Sequence, residues 1–313
     1  MSLTPAFKAL LKAPKYAARA SAYTPNKTIP AGIGGLPARP PRAALLEDLF
    51  QRINSRAQQH SIAWGEWVTV VTATMFALNS PGSLKSFHRF VVRREGSNEL
   101  RPVSERVERA CLMREVGLKS IGLIGTPKAI NNLAALRAMV DEDAECAAAM
   151  PNEPRRDISP AEWDHVKNVG FMVWEDIYRE KEKRLRDVLA HSHPDLGIYI
   201  LQNEYGPLFA PPTMYKQIEE PTWEVNRVRV SLMNMAALHA QGGVAPQVTS
   251  HTFGLLRSGP SFAHVQGPER AGLDFLTTLE GATWVIETVN DVAAVIEGAE
   301  DEDREPPSPP SRL

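Results

Sequence analysis

Between Ala43 and Val295 apolar residues recur at three-four spacing almost everywhere, and alternating, strand-like runs are few. The stretches ALLEDLFQRINSRAQQH, EWVTVVTATMFALN, SERVERACLMREVGLKSIGLIG, AINNLAALRAMVDEDAECAAAM, AEWDHVKNVGFMVWEDIYREKEKRLRDVLAHS, VNRVRVSLMNMAALHAQ and GLDFLTTLEGATWVIETVNDVAAVIEG all carry the pattern. Ser159-Pro160 with Glu162 predicts a helix start, and Asn79-Ser80-Pro81-Gly82 a helix stop. The predicted fold class is all-α. PNEPRRDISP, from Pro151 to Pro160, reads as a joint that divides the body into helical halves at 43–150 and 151–295. The halves share a layout. In the first, an apolar helix (Trp67 to Leu78) ends at a Pro-Gly turn and leads to His88. In the second, an apolar helix (Val228 to Ala240) ends at Gly242-Gly243 and leads to His251. Asn203-Glu-Tyr-Gly206 follows a His-Pro-Asp turn and reads either as the border of a pocket or, with strand-like Ile198 to Leu201 before it, as a structural turn.

The ends of the chain differ from its body. No acidic residue precedes Glu47, whereas Lys8, Lys12, Lys15, Arg19, Lys27, Arg39 and Arg42 are all basic. Leu3, Phe7, Leu10 and Leu11 fall on one helical face with cations around the other, the pattern of a mitochondrial presequence. TPNKTIPAGIGGLPARPPR, rich in Pro and Gly, reads as a linker, so 1–42 is a presequence-like segment followed by a linker. Residues 296–313 form an acidic, Pro-rich tail that cannot bury a core and should be disordered. It carries Ser311-Arg312-Leu313, a variant of the Ser-Lys-Leu tripeptide read by the peroxisomal import receptor. The two addresses together predict a protein shared between peroxisomes and mitochondria.

Composition narrows the function. With 313 residues, 43% of them hydrophobic and 23% charged, the chain can bury a large core. The formal net charge of −2 argues against a nucleic-acid or anionic-membrane coat. The longest apolar run, Val68 to Leu78, is well short of the roughly 20 residues a bilayer span needs. Cys111 and Cys146 are too few for a disulfide framework or a cysteine-rich metal module. His191 and His193 lie at a helix end before Pro194 with no third ligand evident, so no metal site and no cofactor are expected.

The stretch Arg114-Glu-Val-Gly-Leu-Lys-Ser-Ile-Gly-Leu-Ile-Gly-Thr-Pro-Lys-Ala-Ile-Asn-Asn-Leu133 resembles the carboxymuconolactone decarboxylase and AhpD-like family, most specifically at Gly125-x-Pro127. Asn226 to Gly259 is similar to the family's other hallmark: a long apolar helix, a short turn and a helix bearing His. Taken with the tripeptide, the chain resembles fungal, peroxisomal AhpD-like proteins. The resemblance implies an all-α bundle that commonly forms homo-oligomers and acts on, or binds, a small-molecule metabolite.

In the family's peroxidases a Glu on the long helix precedes Cys-x-x-Cys-x-x-x-His, whose first thiolate is activated at a helix start. Counted back from His251, the cysteine positions fall on Val244 and Gln247, and the acid falls near Val228. From His88 they fall on Pro81 and Leu84, with Glu66 as the acid. With every thiol absent, the resemblance does not extend to a thiol peroxidase. Cys111 and Cys146 read as structural, the first as a small buried hydrophobe and the second with a pKa raised by acidic neighbours. What remains is acid–base chemistry on a small carboxylate or lactone-like metabolite, with Glu66, His88 and His251 as candidate catalytic residues. The alternative reading is a non-catalytic binding or scaffold protein. Each candidate also has a bland role: the histidines as caps or core hydrogen bonders, and Glu66 as an exposed first-turn residue favoured by the helix dipole.

Overall fold

A computed structural model describes residues 4–11, 23–25, 35–37 and 40–298. Ser311, Arg312 and Leu313 lie outside the described residues, as do Lys12, Lys15, Arg19, Lys27 and Arg39 of the basic segment. The fold is all-α. Its helices are α1 (Pro5–Leu11), α2 (Ala43–Gln59), α3 (Trp64–Ala77), α4 (Pro81–Val91), α5 (Val103–Lys119), α6 (Ile121–Ile124), α7 (Thr126–Asp141) and α8 (Ala144–Ala149). They continue with α9 (Trp163–Tyr178), α10 (Glu182–Ser192), α11 (Leu196–Tyr199), α12 (Arg227–Gln241), α13 (Ala245–Leu256), α14 (Pro268–Leu276) and α15 (Leu279–Gly298). A three-residue antiparallel pairing, Tyr23–Pro25 with Gly35–Pro37, precedes this body.

Two helices form the centre. Every residue from Gly65 to Ala77 in α3 and from Val228 to Ala240 in α12 is buried. A helix that is buried all round belongs in the interior of a larger bundle. Here α3 and α12 pack on one another, with α5, α13 and α15 against them. The sequence of α3 is not a strong helix former: Val68-Thr-Val-Val-Thr72 is a β-branched run. Tertiary burial overrides that preference. The Thr69 hydroxyl donates to the Gly65 carbonyl (2.6 Å) and the Thr74 hydroxyl to the Val70 carbonyl (2.8 Å), so two buried polar atoms are satisfied within the helix. Asn226 caps α12, its side chain accepting from the Arg229 N–H.

One core runs across residues 43–150 and 151–295, joining Phe50, Phe76 and Phe87 to Trp174, Phe209 and Leu232. Phe7 of α1 is buried in the same core, where α1 rests on α15. Cys111 and Cys146 sit in a small separate cluster with Ala110, Val140 and Met150.

The Gly125-x-Pro127 segment has a visible mechanical role. Gly125 (φ 83°) turns the chain from α6 into α7, and Pro127 occupies the first turn of α7. This brings Lys128 Nζ to the Ala77 carbonyl (2.7 Å), where a cation meets the negative end of α3. Asn131 and Asn132 both donate to Asn79 Oδ1, at 3.3 Å, in the turn that ends α3.

The helix start expected at Ser159-Pro160 falls slightly later, at Trp163, and the Glu162 carboxylate before it accepts from both the backbone N–H and the hydroxyl of Ser159 (2.8 and 2.6 Å). The strand-like Ile198–Leu201 is instead helical. It passes through α11 into a wide π-helical segment, Ile200–Phe209, that contains Pro207. Local β-branched content gave way to packing here. A Cβ on Gly170 would lie 2.3 Å from the Leu201 carbonyl oxygen, and one on Gly206 would lie 2.5 Å from that of Val166. Only this glycine pair lets α9 and the π-helix approach so closely.

Candidate functional site

Glu66 is the third residue of α3 and Arg229 the third of α12. The first turns of the two central helices thereby meet as an ion pair, with Arg229 Nε donating to Glu66 Oε1 at 3.0 Å. Glu66 is only 3% exposed and Arg229 7%, so Glu66 is not the solvated first-turn residue of its bland reading. Arg229 Nη1 donates to the carbonyls of Thr222 and Glu224, both at 2.9 Å. Gly65 makes room for this arrangement, since a Cβ there would lie 2.1 Å from Arg229 Nη2. Glu66 Oε2 is buried without a hydrogen-bond partner.

The structure does not join Glu66 to His88 by a hydrogen bond. His88, on α4, is 3% exposed, and neither ring nitrogen has a partner. Burial pushes its pKa down to about 4, so it is neutral at physiological pH. His251, on α13, is equally buried but is held: Asn234 of α12 lies 3.2 Å from its Nδ1, and the Tyr178 ring meets it edge-on. Burial, aided by Arg227, lowers its pKa to about 3. Behind it the hydroxyls of Tyr178 and Tyr205 share a hydrogen bond of 2.8 Å. Burial raises the Cys111 thiol to about 11 and also raises that of Cys146, so neither is a thiolate near neutral pH. Among the described residues no group of three or more His, Cys, Asp or Glu comes together as a metal site. No helix among them is long and apolar enough to cross a membrane.

Two cavities open beside this junction, and Trp64 lines both. The first, about 480 Å³, has an aromatic and apolar wall of Trp64, Trp67, Val68 and Phe90, with Arg93, Arg94, Arg101 and Arg109 around it. Arg109 is 6% exposed, and its guanidinium lies over the Trp64 ring, 4.6 Å from the centroid. Burial lowers its pKa to about 10, which leaves it cationic at neutral pH and poorly hydrated. It shares Glu105 with Arg101, at 3.5 and 2.9 Å, while the half-buried Arg93 side chain has no carboxylate partner among the described residues. Glu47 and Glu95 are the acidic residues of the lining. The second cavity, about 620 Å³, is lined by Ala63, Glu108, Thr222, Arg229 and Glu269, among others.

The chain is similar to Peroxisomal protein 2 of Saccharomyces cerevisiae. The two are 27% identical over 256 residues, a match that covers 67% of this chain and 87% of the yeast protein. No family model matches the chain, and no solved structure matches it.

Sequence reasoning singled out Glu66, as a candidate acid, but missed Arg229, Arg109 and the role of Trp64. Arg109 lies seven residues beyond Pro102, within a helix whose charges look evenly spread. The signal available for Arg229 was a charged residue inside an otherwise apolar run, VNRVRVSLMNMAALHA. The structure also contains a second buried charge centre. Lys119, fully buried, donates to the carbonyls of Phe209 (3.0 Å) and Val225 (2.8 Å) and lies between Glu115 (3.8 Å) and Glu224 (3.5 Å). Arg156 pairs with Glu115 and Arg155 with Glu224, so the joint after Pro151 is fastened to α5 and to the segment before α12.

Proposed function

We infer that this chain is a peroxisomal, AhpD-like helical protein that binds a small organic carboxylate in the cavity beside Trp64. The observation that carries the ligand class is Arg109: a buried, poorly hydrated guanidinium on an aromatic wall, which an incoming carboxylate would pair with and shield. The Arg-rich rim adds electrostatic attraction, and Trp64, Trp67 and Phe90 supply apolar contact for the rest of the molecule. The peroxisomal assignment is supported by the yeast relative's name and by Ser311-Arg312-Leu313; the mitochondrial share rests on the basic segment alone. Removing the tripeptide should abolish the peroxisomal signal of a tagged chain in cells, and an unchanged signal refutes Ser311-Arg312-Leu313 as the address.

Isothermal titration of the purified protein with a panel of metabolite carboxylates tests the ligand class. Binding in the micromolar to millimolar range, weakened about tenfold or more in Arg109→Met, is expected, since a charge-assisted bond contributes about 1.5–3 kcal/mol. Affinity equal in the two proteins refutes the site. Acid–base catalysis is the second reading, favoured by one observation: the buried, unpartnered Glu66 Oε2 on a carboxylate whose partner, Arg229, lines the second cavity. A metabolite consumed from a peroxisomal extract by the parent and spared by Glu66→Gln would establish turnover. His88→Ala and His251→Ala run beside it would assign the proton carrier. Self-association, which the family resemblance implies, is read by sedimentation of the same protein.

A further inference from the structure

The second cavity differs from the first in the charge it offers. Its arginine, Arg229, is more than nine-tenths buried, and its positive charge is offset by Glu66 at 3.0 Å. Two of the three guanidinium nitrogens are committed, Nε to Glu66 and Nη1 to two backbone carbonyls. Nη2 donates to no acceptor among the described residues, yet the residue lines the cavity wall. Glu108, which accepts from the Thr222 hydroxyl at 2.7 Å, and Glu269 lie in the same wall. The cavity therefore presents hydrogen-bond donors in surroundings that are neutral to negative. A second carboxylate would be repelled there, whereas an uncharged carbonyl or hydroxyl oxygen can accept from Nη2 without electrostatic cost. The first cavity shares Trp64 with this one and is lined by four arginines against Glu47 and Glu95, with Glu105 shared between Arg101 and Arg109.

We propose that the two cavities form one bipartite site for an oxo- or hydroxy-carboxylic acid. Its carboxylate lies at Arg109, its chain or ring lies along Trp64, and its uncharged far oxygen accepts a hydrogen bond from Arg229 Nη2. The proposal rests on the carboxylate reading given above and adds the second anchor. It also specifies selectivity: a monoanion with a distal neutral oxygen is preferred over both the plain acid and the dicarboxylate.

The test is calorimetric titration of the full chain with matched series of plain, oxo-, hydroxy- and dicarboxylic acids of increasing length. At one length the oxo- or hydroxy-acid should bind about tenfold more tightly than the plain acid, the worth of one hydrogen bond to a charged donor. Ala63→Phe narrows the second cavity, which Ala63 lines, and Ala63 does not line the first; it should remove this gain and leave the plain acid's affinity unchanged. Arg229→Lys, checked for native helicity by circular dichroism, should do the same. Equal affinity for plain and oxo-acids at every length overturns the bipartite site while leaving the carboxylate reading intact. So does a dicarboxylate that matches the oxo-acid, or a gain that survives Ala63→Phe. Absence of binding by any acid to the folded protein overturns both.

Discussion

Lys119 and Arg229 are both cations in the interior, and they differ in what is left over. Lys119 is fully enclosed, spends its ammonium on two carbonyls and two carboxylates, and adjoins neither cavity. Its partners are themselves secured by Arg155 and Arg156. Arg229 is nearly as deeply buried but keeps one nitrogen unspent at a cavity wall, next to a carboxylate with one oxygen unpaired. An ammonium whose three protons all find acceptors within the protein, as at Lys119, is an anchor. A network left open by one donor at a cavity wall has capacity for a ligand. Burial alone does not separate the two cases; the count of remaining hydrogen-bond valences does.

The largest effect should come from breaking the closed network. Lys119→Met leaves two buried carboxylates and two carbonyls short of a donor and should cost about 3–5 kcal/mol in urea denaturation. Ligand affinity in the surviving folded fraction should not change. Gly65→Ala tests the open network. The added Cβ would lie 2.1 Å from Arg229 Nη2 and must displace the guanidinium, so stability should fall by about 1–3 kcal/mol and the oxo-acid preference should disappear. If instead the preference persists, Arg229 is only another anchor.

Acid titration extends the contrast to the two histidines. Their pKa values in the folded protein, about 4 for His88 and about 3 for His251, lie below the ordinary 6.5. The unfolded chain therefore binds more protons than the folded one below pH 6.5, and stability falls as pH drops toward 4 and then 3. Two such groups make this a loss of a few kcal/mol, measurable as a falling denaturation midpoint between pH 7 and 4. Replacing His88 with Leu should flatten part of that slope. At pH 7 the same variant should be neutral or about 1 kcal/mol more stable, because both imidazole nitrogens are buried without partners. His251→Leu, which strands Asn234, should instead cost about 1 kcal/mol. A marked loss of stability in His88→Leu would show that the ring is held after all.

The helices were legible in the sequence because their apolar spacing is a local property. Glu66, His88 and His251 could be singled out in the sequence because they open or follow the apolar runs of α3 and α12. What was hidden is long-range. Glu66 and Arg229 are 163 residues apart, and nothing local reveals that their helices begin side by side. The Arg109–Trp64 stack likewise spans two helices. The π-helix was hidden for a different reason. Ile198–Leu201 is locally suited to a strand, and the Gly170–Gly206 contact that draws it against α9 becomes visible only in three dimensions.

The helix that carries Trp64, Gly65 and Glu66 also sets a hazard for the newly made chain. Val68-Thr-Val-Val-Thr72 is a helix enclosed by α12 and its neighbours, although its β-branched residues disfavour one locally. In the unfolded chain it is an uncharged, β-branched run, the kind of segment that pairs with copies of itself. A segment that is buried all round once folded is therefore prone to association before folding. Yield on refolding should be governed by how quickly the distant α12 arrives, a race between intramolecular closure and collision with another chain.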